Sequence, residues 1–240
     1  MVLIMQRYVA SLHHPSYHHK NYRWHTHTRR QYLEAAEQGD STLSHATARF
    51  FLIKHDAIEN MKAKVSLDET ASYISTNDII TIWFFKTANL GRSFMAVNLR
   101  GRMDDLHLQN MVGNYEDLLY YRTLDVATPE LIRKSLLQMK RAITGEQPIQ
   151  ASRMALSTMA LISNWSTFSN LGEAVGFQVV GHSPVSEIER SVPSTSAVCI
   201  VFEARPGQLG IMVMGTPSKL SRLQTAAPFE ETAGEPFLVV

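Results

Sequence analysis

One run, Ile79-Ile-Thr-Ile-Trp-Phe-Phe85, does more than any other to limit what this 240-residue chain can fold into. It is too apolar to be left in water, where each unburied large side chain forfeits about 1.5–3 kcal/mol, so it must be buried. Directly before it stand Ser75, Thr76, Asn77 and Asp78. Each has a short side-chain oxygen that can accept an orphan N–H of a first helical turn. Cap and run together predict a buried helix opening at this point. Residues 94 to 99, Phe-Met-Ala-Val-Asn-Leu, are apolar and partly β-branched, which suits a buried strand. Arg100-Gly101-Arg102 then puts two fixed positive charges on a flexible turn. A capped helix feeding a strand with a basic end can hold an anionic ligand. The same arginines can equally pair with carboxylates elsewhere in the chain.

Bulk composition narrows the class. The chain is 45% hydrophobic and 19% charged, ordinary for a globular protein, and long enough for one large domain or two small ones. Its net charge, 23 − 22 = +1, gives no reason to expect a polyanion such as DNA as partner. Cys199 is the only cysteine, which excludes an internal disulfide and fits a reducing compartment. It lies in Ala197-Val-Cys-Ile-Val-Phe202, which reads as a buried strand, so it is expected to be a small core residue and not a nucleophile. Met1-Val-Leu-Ile-Met5 is too short for the core of a signal peptide. No window approaches the ~18 apolar residues a membrane span needs. A soluble, cytoplasmic protein is expected.

Residues 1–45 differ from the rest. They hold seven of the ten histidines: His13, His14, His18, His19, His25, His27 and His45. His25 and His27 could share one face of a strand as metal ligands, but no Cys, Asp or Glu precedes Glu34. A solvated, poorly ordered arm without a metal site is the expectation. The globular part begins at 46, with strand character at the end of 46–53 and a helix over 55–65. That helix has Ile58 and Met61 inward and Lys62 and Lys64 outward. Thr128-Pro129-Glu130 is a helix start, with Thr as N-cap and Pro at N1. Ile132, Leu136, Met139 and Ile143 hold a helical period, widened by Leu131 and Leu137, and Gly145 is the expected stop. Residues 144–153 read as a linker, and 154–162 as a strand or short helix. Residues 198–202 and 210–214, around Arg205-Pro-Gly207, form a hairpin. A last helix covers 217–223, and the tail 224–240 is expected to be loose. The pattern is α/β, a mixed sheet covered by helices on one face. Gly-x-Gly-x-x-Gly, Gly-x-x-x-x-Gly-Lys-Ser/Thr and Gly-x-Ser-x-Gly are all absent, which speaks against dinucleotide, P-loop and serine-hydrolase chemistry.

Several of these residues together resemble one family. They are Ile74-Ser-Thr-Asn-Asp78 before a Trp-containing helix, Asn98-Leu-Arg-Gly-Arg102 after a strand, Gly113-Asn114 beyond it, and Ser163-Asn-Trp165 nine residues before Ala174. With the closing hairpin at 198–210 and the helix at 219–223, their order resembles the second half of the plant and fungal BAHD acyltransferases, over about residues 46–223. The resemblance implies a chloramphenicol-acetyltransferase-like domain, half of a two-domain enzyme. In that family acyl-CoA, as co-substrate, and an alcohol or amine acceptor meet between the domains. A histidine of a His-x-x-x-Asp motif in the first domain deprotonates the acceptor, which attacks the thioester.

By the same resemblance, Lys62, Lys64, Ser75, Thr76, Arg100 and Arg102 would face the CoA. Trp165, Gly176 and Phe177 would face the acceptor, a specialised metabolite. No cofactor would be permanently bound. The chain departs from the family in two ways. No histidine is followed four positions later by aspartate, so it has no catalytic base of that kind and no catalytic residue is assigned. The Asp-Phe-Gly-Trp-Gly position reads Ala174-Val-Gly-Phe-Gln178. It lacks the aspartate that generally pairs with an arginine there, so Arg100 or Arg102 is expected to be re-paired or exposed. Two outcomes follow: a truncated acyltransferase that needs a companion chain or self-association to supply the first domain, or an inactive half-domain that binds a ligand or partner. If this is the later lobe, the strands bearing Asn98 and Cys199 share one sheet.

Overall fold

The computed structural model describes residues 46–65, 73–100, 116–139, 159–167, 184, 196–225 and 229–231. Residues 1–45, Arg102, Gly113, Asn114, Ala174, Gly176 and Phe177 lie outside them.

Apolar strand segments and the buried run assemble into one seven-stranded sheet with its described helices on one face. The strands are β1 (Thr47–Ile53), β2 (Arg92–Asn98), β3 (Glu116–Arg122), β4 (Ala160–Asn164), β5 (Ala197–Arg205), β6 (Gln208–Gly215) and β7 (Phe229–Glu231). Their spatial order is β3-β2-β4-β5-β6-β1-β7. The centre, β2-β4-β5, is parallel, and the flanking pairs are antiparallel. Asn98 and Cys199 thus stand in one sheet, with β4 between their strands. The segment left open as strand or helix supplies β4 from 160 onward. Gln224 and Thr225 finish the last helix, and β7 pairs with β1, so the sheet takes in chain beyond 223.

The helices are α1 (His55–Ala63), α2 (Thr76–Ala88), α3 (Pro129–Gln138) and α4 (Pro217–Thr225), with a 3-10 turn at Thr123–Val126. The buried run is the body of α2. All seven of its residues are buried, as befits a helix that is apolar on every side. Ser75 caps it: Asp78 N–H donates to Ser75 Oγ at 3.2 Å, and Ser75 N–H donates to Asp78 Oδ2 at 2.8 Å. Asn89, left-handed at φ 49°, ends it, with its N–H donating to Phe85 O. α2 packs on β4 and β5 with α1, α3 and α4 around it.

α3 starts where the Thr-Pro pair predicts, although the Thr128 side chain makes no cap bond. It stops earlier than the pattern suggests. Met139 turns left-handed (φ 52°) and its N–H closes on Ser135 O, so the helix never reaches Gly145. Nothing in a methionine favours that conformation, which is why the apolar period points past it. Leu137 does not widen the buried stripe: one residue past buried Leu136, it is turned about 100° round the helix and is 58% exposed.

β5 alternates between two apolar layers. Ala197, Cys199 and Val201 join the core under the helices, while Val198, Ile200, Phe202 and Ala204 join Met212 and Met214 on the other face. This double burial is what a central parallel strand requires. Across the β5–β6 pair Phe202 lies opposite Gly210. A Cβ on Gly210 would come within 2.9 Å of the Phe202 ring, so the glycine makes room for the aromatic. Gly207 (φ +74°) turns the hairpin. Among the described residues no helix is long and apolar enough to cross a membrane.

Two outcomes test this core. Phe84→Ala empties a fully buried site and is expected to cost about 3–5 kcal/mol, read as a lower urea midpoint. Burial also pushes the Cys199 thiol well above its usual range, so the reactive thiolate is suppressed. Native protein should leave an aromatic disulfide reagent unreduced at pH 8, and unfolding in urea should release the thiol.

Candidate functional site

The parallel strands β2 and β4 end side by side. Ala96 is level with Ser163, so Asn98 and Asn164, two and one residues further on, terminate the strands at nearly the same height. Both ends use the same device, an asparagine oxygen accepting the N–H two residues later. Asn98 Oδ1 accepts from Arg100 N–H at 3.0 Å, and Asn164 Oδ1 accepts from Ser166 N–H at 2.9 Å. The Ser166 hydroxyl also donates to Asn164 Oδ1 at 2.7 Å. The carboxyl ends of parallel strands are where open α/β sheets place ligands.

α2 opens at this edge. Asn164 Nδ2 donates to Asn77 Oδ1 at 3.0 Å, tying the helix's first turn to the end of β4. Trp165 continues the ladder toward β5, its N–H donating to Val201 O at 2.7 Å, and its indole N–H donates to Ser163 Oγ at 2.9 Å. The ring is half-buried and packs on the layer built from Val198, Ile200 and Phe202. Thus Ser75, Thr76, Asn77, Asn98, Arg100, Asn164 and Trp165, all half-buried, share one rim.

The first turn of α2 is held by a buried ion pair. Asp78 is wholly buried, and its Oδ2 accepts from Arg133 Nε at 2.9 Å and from Arg133 Nη2, as well as from Ser75 N–H. Arg133, on α3, is also buried; its Nη1 donates to the Tyr73 hydroxyl at 3.1 Å, and the guanidinium carbon lies 4.4 Å from the centroid of that ring. Asp78 therefore offsets part of the positive end of α2, and Arg133 answers Asp78. Nearby, Ser135 Oγ donates to Ile132 O at 2.8 Å, which leaves the Tyr121 hydroxyl to donate to Ser135 at 2.7 Å. Burial chiefly, opposed in part by that bond and reinforced by Asp78 and Asp125, pushes the Tyr121 hydroxyl well above its usual range. It acts as a neutral donor and offers no base.

The sequence-derived candidates divide accordingly. Ser75, Thr76, Arg100 and Trp165 all stand at the carboxyl edge of the sheet, with Ser75 engaged as a helix cap and the Trp165 ring on the face opposite α2. Lys62 turns to Glu59 of its own helix at 2.7 Å, holding that carboxyl below its usual range, and Lys64 is exposed at the end of α1. Neither lysine is linked to the rim among the described residues. Arg100 is half-buried. Arg102, Gly176 and Phe177 lie outside the described residues. Among those residues no group of three His, Cys, Asp or Glu side chains gathers as a metal site.

Sequence reasoning missed Arg133 and the pairing of Asn77 with Asn164. Arg133 had one signal: it falls between Ile132 and Leu136 at the flank of an otherwise apolar stripe. The two asparagines stand inside the motifs at 74–78 and 163–165, but their pairing had no signal, because they meet only in the folded chain.

Neither a protein-family model nor a curated protein matches this chain in sequence. Solved structures do match in fold. Vinorine synthase aligns with TM-score 0.51 at 12% identity, over 78% of this chain and 49% of its own. F. sporotrichioides TRI101, complexed with Coenzyme A and T-2, aligns with TM-score 0.50 at 16% identity, over 75% of this chain and 48% of its own. The chain therefore spans about half the length of either neighbour. At these identities the likeness is one of fold: the chloramphenicol-acetyltransferase-like mixed sheet, in the extent of half a two-domain transferase.

Breaking the ion pair tests the geometry of the rim. Asp78→Ala leaves Arg133 buried without its carboxylate and is expected to destabilise the fold by about 3–5 kcal/mol. Asp78→Asn combined with Arg133→Leu should recover much of that loss in the same urea titration.

Proposed function

We propose that this chain is a lobe of an acyl-CoA-dependent acyltransferase that moves an acyl group from acyl-CoA to a hydroxyl or amine of a specialised metabolite. One observation supports the reading. Arg100 follows the carboxyl end of β2, one strand from the end of β4, where Asn164 ties down the first turn of α2, in a fold shared with a protein whose structure holds Coenzyme A.

In this reading Arg100, with Arg102 beyond it, meets the anionic part of CoA. Ser75 and Thr76 line the same side, and Lys62 and Lys64 serve as more distant positive charge. Trp165, with Gly176 and Phe177, bounds the acceptor. The acceptor oxygen or nitrogen attacks the thioester carbonyl and loses its proton to a base. The tetrahedral oxyanion then collapses and expels the CoA thiolate. The step needs a base of near-neutral pKa within hydrogen-bond reach and donors aimed at the oxyanion. This chain has no His-x-x-x-Asp. His55, the one histidine among the described residues, is exposed at the start of α1. In this reading turnover needs a first lobe that brings the base, and the lobe described here binds CoA without turning it over. That second reading, a binding half-domain, rests on the missing motif.

Calorimetric titration with CoA is expected to show saturable binding, weakened about tenfold by Arg100→Ala as one charge-assisted contact is lost. No heat with the full chain rejects the proposal. Thiol release from acyl-CoA in a crude acceptor extract should be absent for the chain alone, and Cys199 adds no background while folded. Release that survives mutation of every histidine rejects the proton-acceptor mechanism.

A further inference from the structure

Polar groups gather in the buried seam between α2 and α3. Along α2, Asp78, Thr81 and Phe85 follow the three- and four-residue spacing of one helix face. Asp78 meets Arg133 of α3. Phe85 packs on Tyr121 with ring centroids 5.6 Å apart, and the Tyr121 hydroxyl bonds Ser135 of α3. Thr81 lies between these two contacts and, like Asp78, is wholly buried.

Among the described residues two oxygens of this face are buried without a hydrogen-bond partner: Asp78 Oδ1 and Thr81 Oγ1. Ser75 N–H and two N–H groups of Arg133 all donate to Asp78 Oδ2, which leaves the other carboxylate oxygen unanswered. A helical threonine can bond its hydroxyl to a carbonyl three or four residues back, and Thr81 does not. A buried oxygen in that position has lost its hydration with nothing in its place. Folded proteins answer such groups with ordered water. Side chains three residues apart on a helix have Cβ atoms about 5–6 Å apart, a span one water bridges with two hydrogen bonds of about 2.8 Å. The directions agree: a carboxylate only accepts, and a hydroxyl can donate. Arg133 adds donors, because three of its five N–H groups are engaged among the described residues.

We propose that the α2–α3 seam is a binding site for one buried water molecule, which donates to Asp78 Oδ1 and accepts from the Thr81 hydroxyl. The water completes the ion pair, since both oxygens of the Asp78 carboxylate then have donors. It also ties the first turn of α2 to the second, independently of any ligand at the sheet edge.

Oxygen-17 relaxation dispersion, which counts waters held inside a protein, tests the site on the full chain. Thr81→Val keeps the branched shape and removes the hydroxyl. It is expected to lose one long-lived water and to lower the urea midpoint by about 0.5 M, while Thr81→Ser keeps the water. An unchanged water count in Thr81→Val overturns the proposal. So does a midpoint that rises, because it marks a dry hydroxyl whose removal relieves the core. In the unaltered chain, water should give nuclear Overhauser cross-peaks to the Thr81 methyl, and their absence overturns the proposal even if Thr81→Val does not fold.

Discussion

The Asp78 carboxylate is the group on which most of this architecture rests. One of its oxygens closes the cap of α2 through Ser75 N–H and receives both Nε and Nη2 of Arg133. A bare carboxylate in that position would pay heavily for leaving water, and the arginine, donating twice to that one oxygen, offsets this. The arrangement sets where α2 begins, and that start fixes Asn77 against Asn164. A single buried side chain thus couples helix initiation, helix–helix packing and the rim at the strand ends.

Part of the charge at the rim can be traced. The helix start contributes partial positive charge, Asp78 and Arg133 roughly balance one another, and Arg100 stands at the end of β2. The two asparagine turns shape the same edge. In each, the asparagine that ends the parallel strand accepts the N–H two residues on. Trp165 continues from β4 toward β5, held by its ladder bond to Val201 and by Ser163.

Much of the fold was legible because it rests on local signals. The apolar run, its cap, the Thr-Pro helix start and the Pro-Gly hairpin each announce themselves within a few residues, and the structure has all four. What escaped were features made by distance. Arg133 meets Asp78 across 55 positions and Asn164 meets Asn77 across 87, and no window of sequence holds both members of either pair. The early end of α3 at Met139 escaped for the opposite reason, since its residue type argues against the conformation it adopts. Of the residues at that edge, the motif order named Ser75, Thr76, Arg100 and Trp165. It also named Lys62 and Lys64 on α1, and an outward-facing lysine looks the same in sequence whether or not it faces a ligand.

The strand order has a consequence for how the molecule is made. β1 comes early, yet its ladder partners are β6 and β7, the last two strands, with Thr47 opposite Gly215. During synthesis β1 must wait with both backbone edges unsatisfied until residues 208–231 have left the ribosome. Contacts closed over so long a loop form slowly, and a waiting apolar strand is a target for wrong partners. Nascent chains of this protein should therefore lean on chaperones while β1 waits.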